Sequence, residues 1–177
     1  LKIDSKLKNK ATQLSGGEMQ RVSVGRALVR NPNIYLMDEP LSSLDAKLRE
    51  ELRIELKKIQ KDLNATILYV THDHVEATTM ADRIGVLKDG VLSQVGTPEE
   101  IYDNPNSIYV ANRLGSPKIN IFDLNKTKIP SKNKATHAGI RPEDISITNK
   151  GNYDVYIETV ELLGAETVIS FKSDNVN

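Results

Sequence analysis

Two short apolar runs of the sequence each end in side chains that could do chemistry. Asp38 and Glu39 directly follow "IYLM", and His72 and Asp73 follow "ATILYVT". Two carboxylates side by side at the end of a buried strand are costly unless a cation lies next to them. Carboxylates and a histidine in one crevice are suited to Mg²⁺ binding and to hydrolysis of a nucleotide phosphate. For an isolated Asp-Glu-Pro tripeptide, a strand-end turn with solvated carboxylates would be the better interpretation, but four apolar residues before it and a Ser-Gly-Gly helix start upstream favour the phosphate site.

A turn of small residues lies upstream of the first pair. Ser15-Gly16-Gly17-Glu18 matches a capping box, with serine at the N-cap and glutamate three residues later. The start of a helix exposes unpaired N–H groups, and glycine lets a phosphate approach them closely. Taken alone, the turn indicates an ordinary capped helix, because short matches of this kind are common.

Helices and strands alternate around these residues. The patterning predicts helices from residue 15 to about 30, from 45 to 63 and over 75–83, another that opens at Thr97, and one near 107–114. It predicts strands buried on both faces at 34–37 and from residue 65 onward, and a hairpin that turns at Asp89-Gly90. This order indicates the α/β class, in which ligands lie beyond the carboxyl ends of the strands. Both sets of reactive side chains should therefore meet at one crevice.

The patterning changes after Gly115. Residues from about 118 alternate with period two, as in "YDVYIETV", where Tyr153, Val155 and Ile157 should share one face. We therefore predict two domains. Residues 1–114 form the α/β part, and residues 115–177 form a linker and the start of a small all-β domain.

The composition excludes several classes of function. Lys and Arg together number 24, as do Asp and Glu, so no net field favours nucleic acid or an anionic membrane. There is no cysteine, which excludes disulfides, a thiol nucleophile and thiolate metal sites. No apolar run approaches bilayer length and no signal peptide is visible, so we expect a cytosolic protein.

The order of the motifs resembles the second half of an ATP-binding-cassette (ABC) ATPase, a P-loop NTPase. "LSGGE" resembles the signature motif, "IYLMDE" Walker B, Ser43-Leu44-Asp45 the D-loop, and His72 the switch histidine. The resemblance implies ATP and Mg²⁺ as cofactors. Asp38 would hold Mg²⁺ through water, Glu39 would be the general base, and His72 would contact the γ-phosphate.

The resemblance also implies a second ATPase subunit, either identical or a paralogue. Ser15, Gly16, Gly17 and Glu18 would contact the ATP held by that subunit, and Asp45 would lie at the dimer interface. Glu18 stands where glutamine is commoner in the family, and the capping box should turn its carboxylate back toward the helix start.

A second departure from the family pattern is the lack of a G-x-x-x-x-G-K-[ST] segment. The adenine-stacking aromatic and the Q-loop glutamine are also missing. We therefore expect a C-terminal fragment without the Walker A half, which by itself neither binds ATP tightly nor hydrolyses it.

The C-terminal region narrows the class. "GSPKIN" and "GIRPEDI" resemble the link into the OB-fold-like TOBE domain of importer ATPases, in the carbohydrate branch that includes the maltose and glycerol-phosphate types. This implies an ATPase subunit for uptake of a carbohydrate or sugar phosphate, peripheral on the inner face of the cell membrane. Its partners would be two integral-membrane permease subunits and, indirectly, an extracytoplasmic solute-binding protein, with no nucleic acid. The alternatives are a polyamine or iron importer, a soluble ABC ATPase of DNA repair or translation, and a non-catalytic or regulatory module.

Overall fold

A computed structural model describes residues 1–127 and 135–173 of the chain. The backbone forms two compact units, one of residues 1–84 with 96–98 and the other of residues 85–95 with the chain from residue 99 onward. The division into domains at residues 114 and 115 stays a prediction. Among the described residues, every helix is too short or too polar to cross a bilayer.

The first unit alternates helices and strands, which confirms the α/β class. Its helices and strands, in chain order, are α1 (Gly16–Val29), β1 (Ile34–Asp38), α2 (Ala46–Asp62), β2 (Thr66–Val70) and α3 (His74–Met80). Two 3₁₀ turns, Asp4–Lys6 and Ala11–Gln13, precede α1. Strands β1 and β2 pair in parallel with Asp38 opposite Val70, so their carboxyl ends lie at the same edge.

Local sequence signals explain where α2 begins and ends. The Asp45 side chain accepts a hydrogen bond from the Leu48 N–H at 3.0 Å, which satisfies one unpaired donor of the first turn. The apolar stripe of α2 buries Leu52 and Leu56 to 1% and 2% exposure. Asn64 follows the helix with φ of 48°, a left-handed conformation that asparagine tolerates well.

The core of the first unit lies between α1, α2 and the turn that joins β1 to α2. Its members are aliphatic side chains from all three segments: Val24, Leu41, Leu44, Leu52 and Leu56, with Leu1, Leu28, Leu48 and Met80 packed against them. Burial of each such side chain contributes roughly 1.5–3 kcal/mol. The turn after β1 is therefore held by core packing on both sides.

The two-stranded sheet of the first unit has one buried and one exposed face. Tyr35 and Met37 are buried, whereas Leu36 is 76% exposed and Leu68, paired with it in the ladder, is 61% exposed. The prediction that both strands are buried on both faces is therefore wrong for the described residues. The physical reason is that no described element covers the face that carries these two leucines.

The second unit holds most of the strands found in the described residues. The elements in it or at its edge are β3 (Ile84–Lys88), β4 (Val91–Gly96), α4 (Pro98–Asp103), α5 (Ile108–Ala111), β5 (Asn120–Asp123), β6 (His137–Ile140), β7 (Tyr156–Leu162) and β8 (Thr167–Lys172). The strands form consecutive pairs, of which β5 with β6 and β7 with β8 are antiparallel. Asp89 and Gly90 have φ of 50° and 78°, which confirms the predicted hairpin turn.

The region after α5 contains strands and two single-turn 3₁₀ helices, Leu124–Lys126 and Pro142–Asp144, within the part of the chain that is described. The predicted face of Tyr153, Val155 and Ile157 is wrong, because β7 begins only at Tyr156 and is exposed along its whole length. The assignment of this region to an OB-fold-like accessory domain stays a prediction.

Candidate functional site

The parallel pairing of β1 and β2 brings two of the sequence-derived site residues together. Glu39 directly follows β1, and its N–H donates to the carbonyl of Val70, the last residue of β2, at 2.9 Å. His72 lies two residues beyond Val70, and its Nδ1 is 3.0 Å from the Glu39 Oε1. Side chains 33 positions apart in the sequence thus form a hydrogen-bonded pair at the sheet edge.

Glu39 stabilises the protonated form of His72. The hydrogen bond that the imidazole donates to the Glu39 carboxylate, and then the negative charge of that carboxylate, raise the pKa of the imidazole above its ordinary value. Both side chains are open to solvent, with exposures of 75% for His72 and 45% for Glu39. The pair is therefore accessible to a ligand and favours the protonated histidine, which can approach an anionic phosphate.

The backbone of Glu39 adopts an uncommon conformation. Its φ is 44°, in the left-handed region that is disfavoured for residues other than glycine. The Glu39 carbonyl accepts hydrogen bonds from Gln20 Nε2 at 2.7 Å, from the Ser42 N–H at 3.2 Å and from the Ser42 hydroxyl at 3.0 Å. Strained conformations supported in this way are concentrated at functional sites, so the geometry favours a functional role for Glu39.

Asp38 is placed differently from the sequence-based expectation of a buried carboxylate pair. Its side chain is exposed at the end of β1, so no buried charge there demands a cation. Within the described ranges, no group of three or more His, Cys, Asp or Glu side chains could hold a metal. Mg²⁺ is usually bound by one or two carboxylates together with substrate phosphates and waters, and a single accessible carboxylate fits that requirement.

A buried carboxylate supports the loop that carries His72. Glu76, the third residue of α3, is 3% exposed and accepts hydrogen bonds from the Tyr69 hydroxyl at 2.9 Å and the Thr71 hydroxyl at 2.8 Å. Burial, and then the bond to Glu76, raise the pKa of the Tyr69 phenol. The Thr71 oxygen also accepts from the Asp73 N–H at 3.0 Å, so hydrogen bonds flank His72 on both sides.

Between these groups lies a cavity of about 20 Å³. That volume is large enough for one water molecule. Its lining residues come from the turn after β1, from α2, from the loop after β2 and from α3: Glu39, Ser42, Arg49, Thr71, His72, Asp73 and Glu76.

The capped turn forms as predicted at the start of α1. The Ser15 oxygen accepts from the Glu18 N–H at 3.3 Å, and Glu18 Oε2 accepts from the Ser15 N–H at 2.8 Å. The other Glu18 oxygen lies 3.1 Å from the ammonium of Lys6. The Ser15 N–H and then Lys6 lower the pKa of the Glu18 carboxyl. This confirms that the carboxylate turns back toward the helix start, and Lys6 partly neutralises it.

The two glycines of the turn have different surroundings. A Cβ at Gly16 would meet nothing within 4 Å, whereas one at Gly17 would lie 2.9 Å from the Leu44 Cδ2 and 3.5 Å from the Ser43 carbonyl. Gly17 therefore has a packing role within its own chain, against the turn before α2. Asp45 has an intrachain role too, as the N-cap of α2. The roles of Ser15, Gly16, Gly17, Glu18 and Asp45 at a second subunit stay predictions.

The sequence analysis missed two residues of this region, Gln20 and Glu76. Glu76 occupies a position in a short helix where an acidic residue is usually solvated, and nothing in the local pattern signals its burial. Gln20 follows the capping box on α1, and its partners are 19 and 23 positions away. Periodicity does not reveal contacts at such separations.

Comparison with known proteins shows the class. Residues 1–42, which include the capped turn and β1, match the family model described as ABC transporter. Curated relatives whose names describe import ATP-binding proteins align with 96% or more of the chain at 46–47% identity. The chain therefore belongs to the family of ABC transporter ATP-binding proteins.

Three of these relatives are named sn-glycerol-3-phosphate import ATP-binding protein UgpC. The protein of Psychromonas ingrahamii is 46% identical over 98% of this chain and 50% of its own length. Those of Brucella abortus (strain 9-941) and Rhizobium meliloti are 47% and 46% identical over 96% of the chain and 52% of their own lengths. The chain thus spans about half the length of these curated relatives.

One solved structure is also similar in sequence. It is a dimeric ATP-binding cassette in a post-hydrolysis state with ADP and Pi, 42% identical to this chain. The match covers 50% of this chain and 38% of that one, with a TM-score of 0.47.

Proposed function

We propose that the protein containing this chain is the ATP-hydrolysing subunit of an ABC importer. The observation that carries the proposal is the Glu39–His72 pair at the common edge of two parallel strands. Glu39 accepts a proton from a water molecule while the oxygen of that water attacks the γ-phosphorus of ATP. The bond between the γ-phosphorus and the oxygen that leaves with ADP breaks. His72, favoured in its protonated form by Glu39, lies next to the negative charge of the transferred phosphoryl group.

The site also suits a magnesium ion bound with the nucleotide. Asp38 would hold it, through water, at the exposed end of β1. Mg²⁺ supplies positive charge that offsets the phosphates during the reaction. The residues of this chain orient the water and receive its proton.

The remaining half of a complete site would come from a second ATPase subunit. The capped turn at Ser15 leaves the N–H groups of Gly16 and Gly17 at the start of α1, where the helix dipole favours a phosphate. Glu18 is turned away from that position by its bonds to Ser15 and Lys6. This arrangement supports a role for the turn at the partner's nucleotide, with Asp45 near the dimer interface.

The transported substrate is proposed from the relatives. Their printed names specify sn-glycerol-3-phosphate import, so we propose uptake of a sugar phosphate or carbohydrate. The subunit would act with two membrane permeases and a solute-binding protein, peripheral on the inner face of the cell membrane. Residues 115–177 would begin the accessory domain.

The test of catalysis is Glu39→Gln in the full-length protein. The amide keeps the size of the side chain but cannot accept the proton, so kcat should fall by on the order of 100-fold or more while ATP still binds. Glu50→Gln, an exposed carboxylate of α2, is the matched control and should keep normal kcat. Normal turnover in Glu39→Gln would remove Glu39 from the role of general base.

The role of the capped turn is tested by Ser15→Arg. A bulky cation at the N-cap should leave ATP affinity of the monomer unchanged and block ATP-driven dimerisation, measured by light scattering. Ser23→Arg, at an exposed position of the same helix, is the control. Loss of monomer ATP binding with dimerisation intact would show that Ser15 acts within its own subunit.

The substrate assignment is tested in cells. Deletion of the gene should abolish uptake of radiolabelled sn-glycerol-3-phosphate or of a sugar, and uptake of polyamines and iron should stay normal. A defect confined to polyamines or iron would refute the assignment.

A further inference from the structure

Gln20 joins α1 to the turn after β1 through its side-chain amide. Its Nε2 donates to the carbonyl of Glu39 at 2.7 Å, just beyond β1. Its Oε1 accepts hydrogen bonds from the Ser43 N–H at 3.2 Å and from the Ser43 hydroxyl. The side chain is half-buried on α1, one turn after the capped start of that helix. Both ends of the amide are therefore engaged with the turn that carries Glu39.

The hydrogen bond from Gln20 to the Glu39 carbonyl differs from the two that this carbonyl accepts from Ser42. Ser42, which supplies the other two donors, is only three residues from Glu39 and belongs to the same turn. Gln20 is 19 positions away and belongs to a different element. Because the carbonyl direction is tied to the backbone dihedrals of Glu39, this bond links the left-handed φ of 44° to the position of α1.

We propose that Gln20 is a positioning residue that acts through Glu39. It holds the backbone of Glu39 in the left-handed conformation in which the carboxylate reaches His72, and it couples α1, whose N-cap is Ser15, to the proposed catalytic base. The inference rests on the proposed hydrolysis, since Gln20 itself contacts no reacting atom. A purely structural residue at this position would affect stability without changing how Glu39 works.

Two substitutions separate these roles in the full-length protein. Gln20→Glu keeps the acceptor for Ser43 but places a carboxylate oxygen against the Glu39 carbonyl, whereas Gln20→Met fills the same volume without either polar atom. Each should lower kcat by roughly 10-fold to 100-fold, the cost of misplacing a catalytic group by about 1 Å. The KM for ATP should stay within about twofold, because ground-state binding is not altered. Ser23→Glu, which adds the same charge at an exposed position of α1, is the control.

A double-mutant cycle shows whether the effect passes through Glu39. In a Glu39→Gln background, the substitutions at Gln20 should cause no further loss of the residual rate, since residues that act as a unit are not additive. Losses that multiply, or a normal kcat in Gln20→Met, would overturn the proposal.

A structural measurement keeps the inference separate from the proposed function. If Glu39→Gln itself left turnover normal, the hydrolysis proposal would fail, and the position of Glu39 could still be read by NMR. The backbone amide and Cα chemical shifts of Glu39 should change in Gln20→Met, along with those of His72. Unchanged shifts at both residues would show that Gln20 does not position Glu39.

Discussion

Arg141 is a buried cation that holds the helices of the second unit by their carbonyl groups. It is 7% exposed, and its guanidinium donates to the carbonyls of Leu114 at 2.8 Å, Ala111 at 3.3 Å and Tyr102 at 2.7 Å. Its Cζ lies 3.8 Å from the centroid of the Tyr102 ring. The three hydrogen-bond acceptors are backbone carbonyls near the ends of α4 and α5. Carbonyl groups at the end of a helix lack partners within that helix.

The cost of removing this side chain follows from those contacts. Two short bonds from a charged donor contribute about 1.5–3 kcal/mol each, and the ring contact adds about 0.5–2 kcal/mol. Part of this loss is offset in the variant, because folding no longer has to transfer a charged side chain from water into the interior. Arg141→Met should therefore destabilise the second unit by roughly 3–4 kcal/mol. Arg141→Lys should cost roughly 1–3 kcal/mol, because one ammonium group cannot reproduce the planar fork.

Amide hydrogen exchange of residues 99–123, read by mass spectrometry, measures this loss where it occurs. A change of about 3 kcal/mol corresponds to exchange on the order of 100-fold faster. Arg113→Met is the matched control, because Arg113 is exposed and its guanidinium, among the contacts described, lies 4.4 Å from the Tyr109 ring and donates to the Tyr109 hydroxyl at 2.6 Å. Equal exchange in Arg141→Met and Arg113→Met would refute the role of Arg141.

Three further outcomes follow from the first unit. His72, whose pKa Glu39 raises, should titrate at lower pH in Glu39→Gln by NMR of the ring protons. In the native protein, the contribution of the Glu39–His72 pair to stability should be complete below the pKa of His72 in the unfolded chain, about 6.5, and should be lost as the pH rises through the higher pKa of His72 in the folded protein. Identical titration curves of His72 in the native protein and in Glu39→Gln would contradict this prediction. Asp45→Ala should cost about 1 kcal/mol in urea unfolding through loss of the α2 N-cap, and no change in the midpoint would contradict the capping role. Leu56→Ala should cost about 2–5 kcal/mol because its side chain is 2% exposed, and a loss below 1 kcal/mol would show that the site collapses without a cavity.

Features governed by neighbouring residues could be read from the sequence alone. The capping box at Ser15 and Glu18 involves groups three residues apart, and the turn at Asp89-Gly90 depends on conformations that those residues tolerate. The apolar stripe of α2 likewise follows from helical periodicity. The sequence also predicted that the residues after β1 lie close to the residues after β2, because consecutive strands of this class run parallel.

Other features depended on which segments pack together. The exposure of Leu36 and Leu68 reflects the lack of a described element on that face of the sheet, which their apolar character cannot reveal. The burial of Glu76 and of Arg141 depends on partners that close around them, although glutamate and arginine are among the residues most often exposed.

The clearest contrast is at Glu39. Its chemical type and its place after an apolar run indicated a carboxylate suited to phosphate hydrolysis, and the family resemblance implied the role of general base. Its left-handed backbone, its bond to His72 and its tie to Gln20 were decided by the tertiary structure. A backbone conformation of this kind is unfavourable for an isolated glutamate, so it persists only where hydrogen bonds from residues distant in the sequence converge on it.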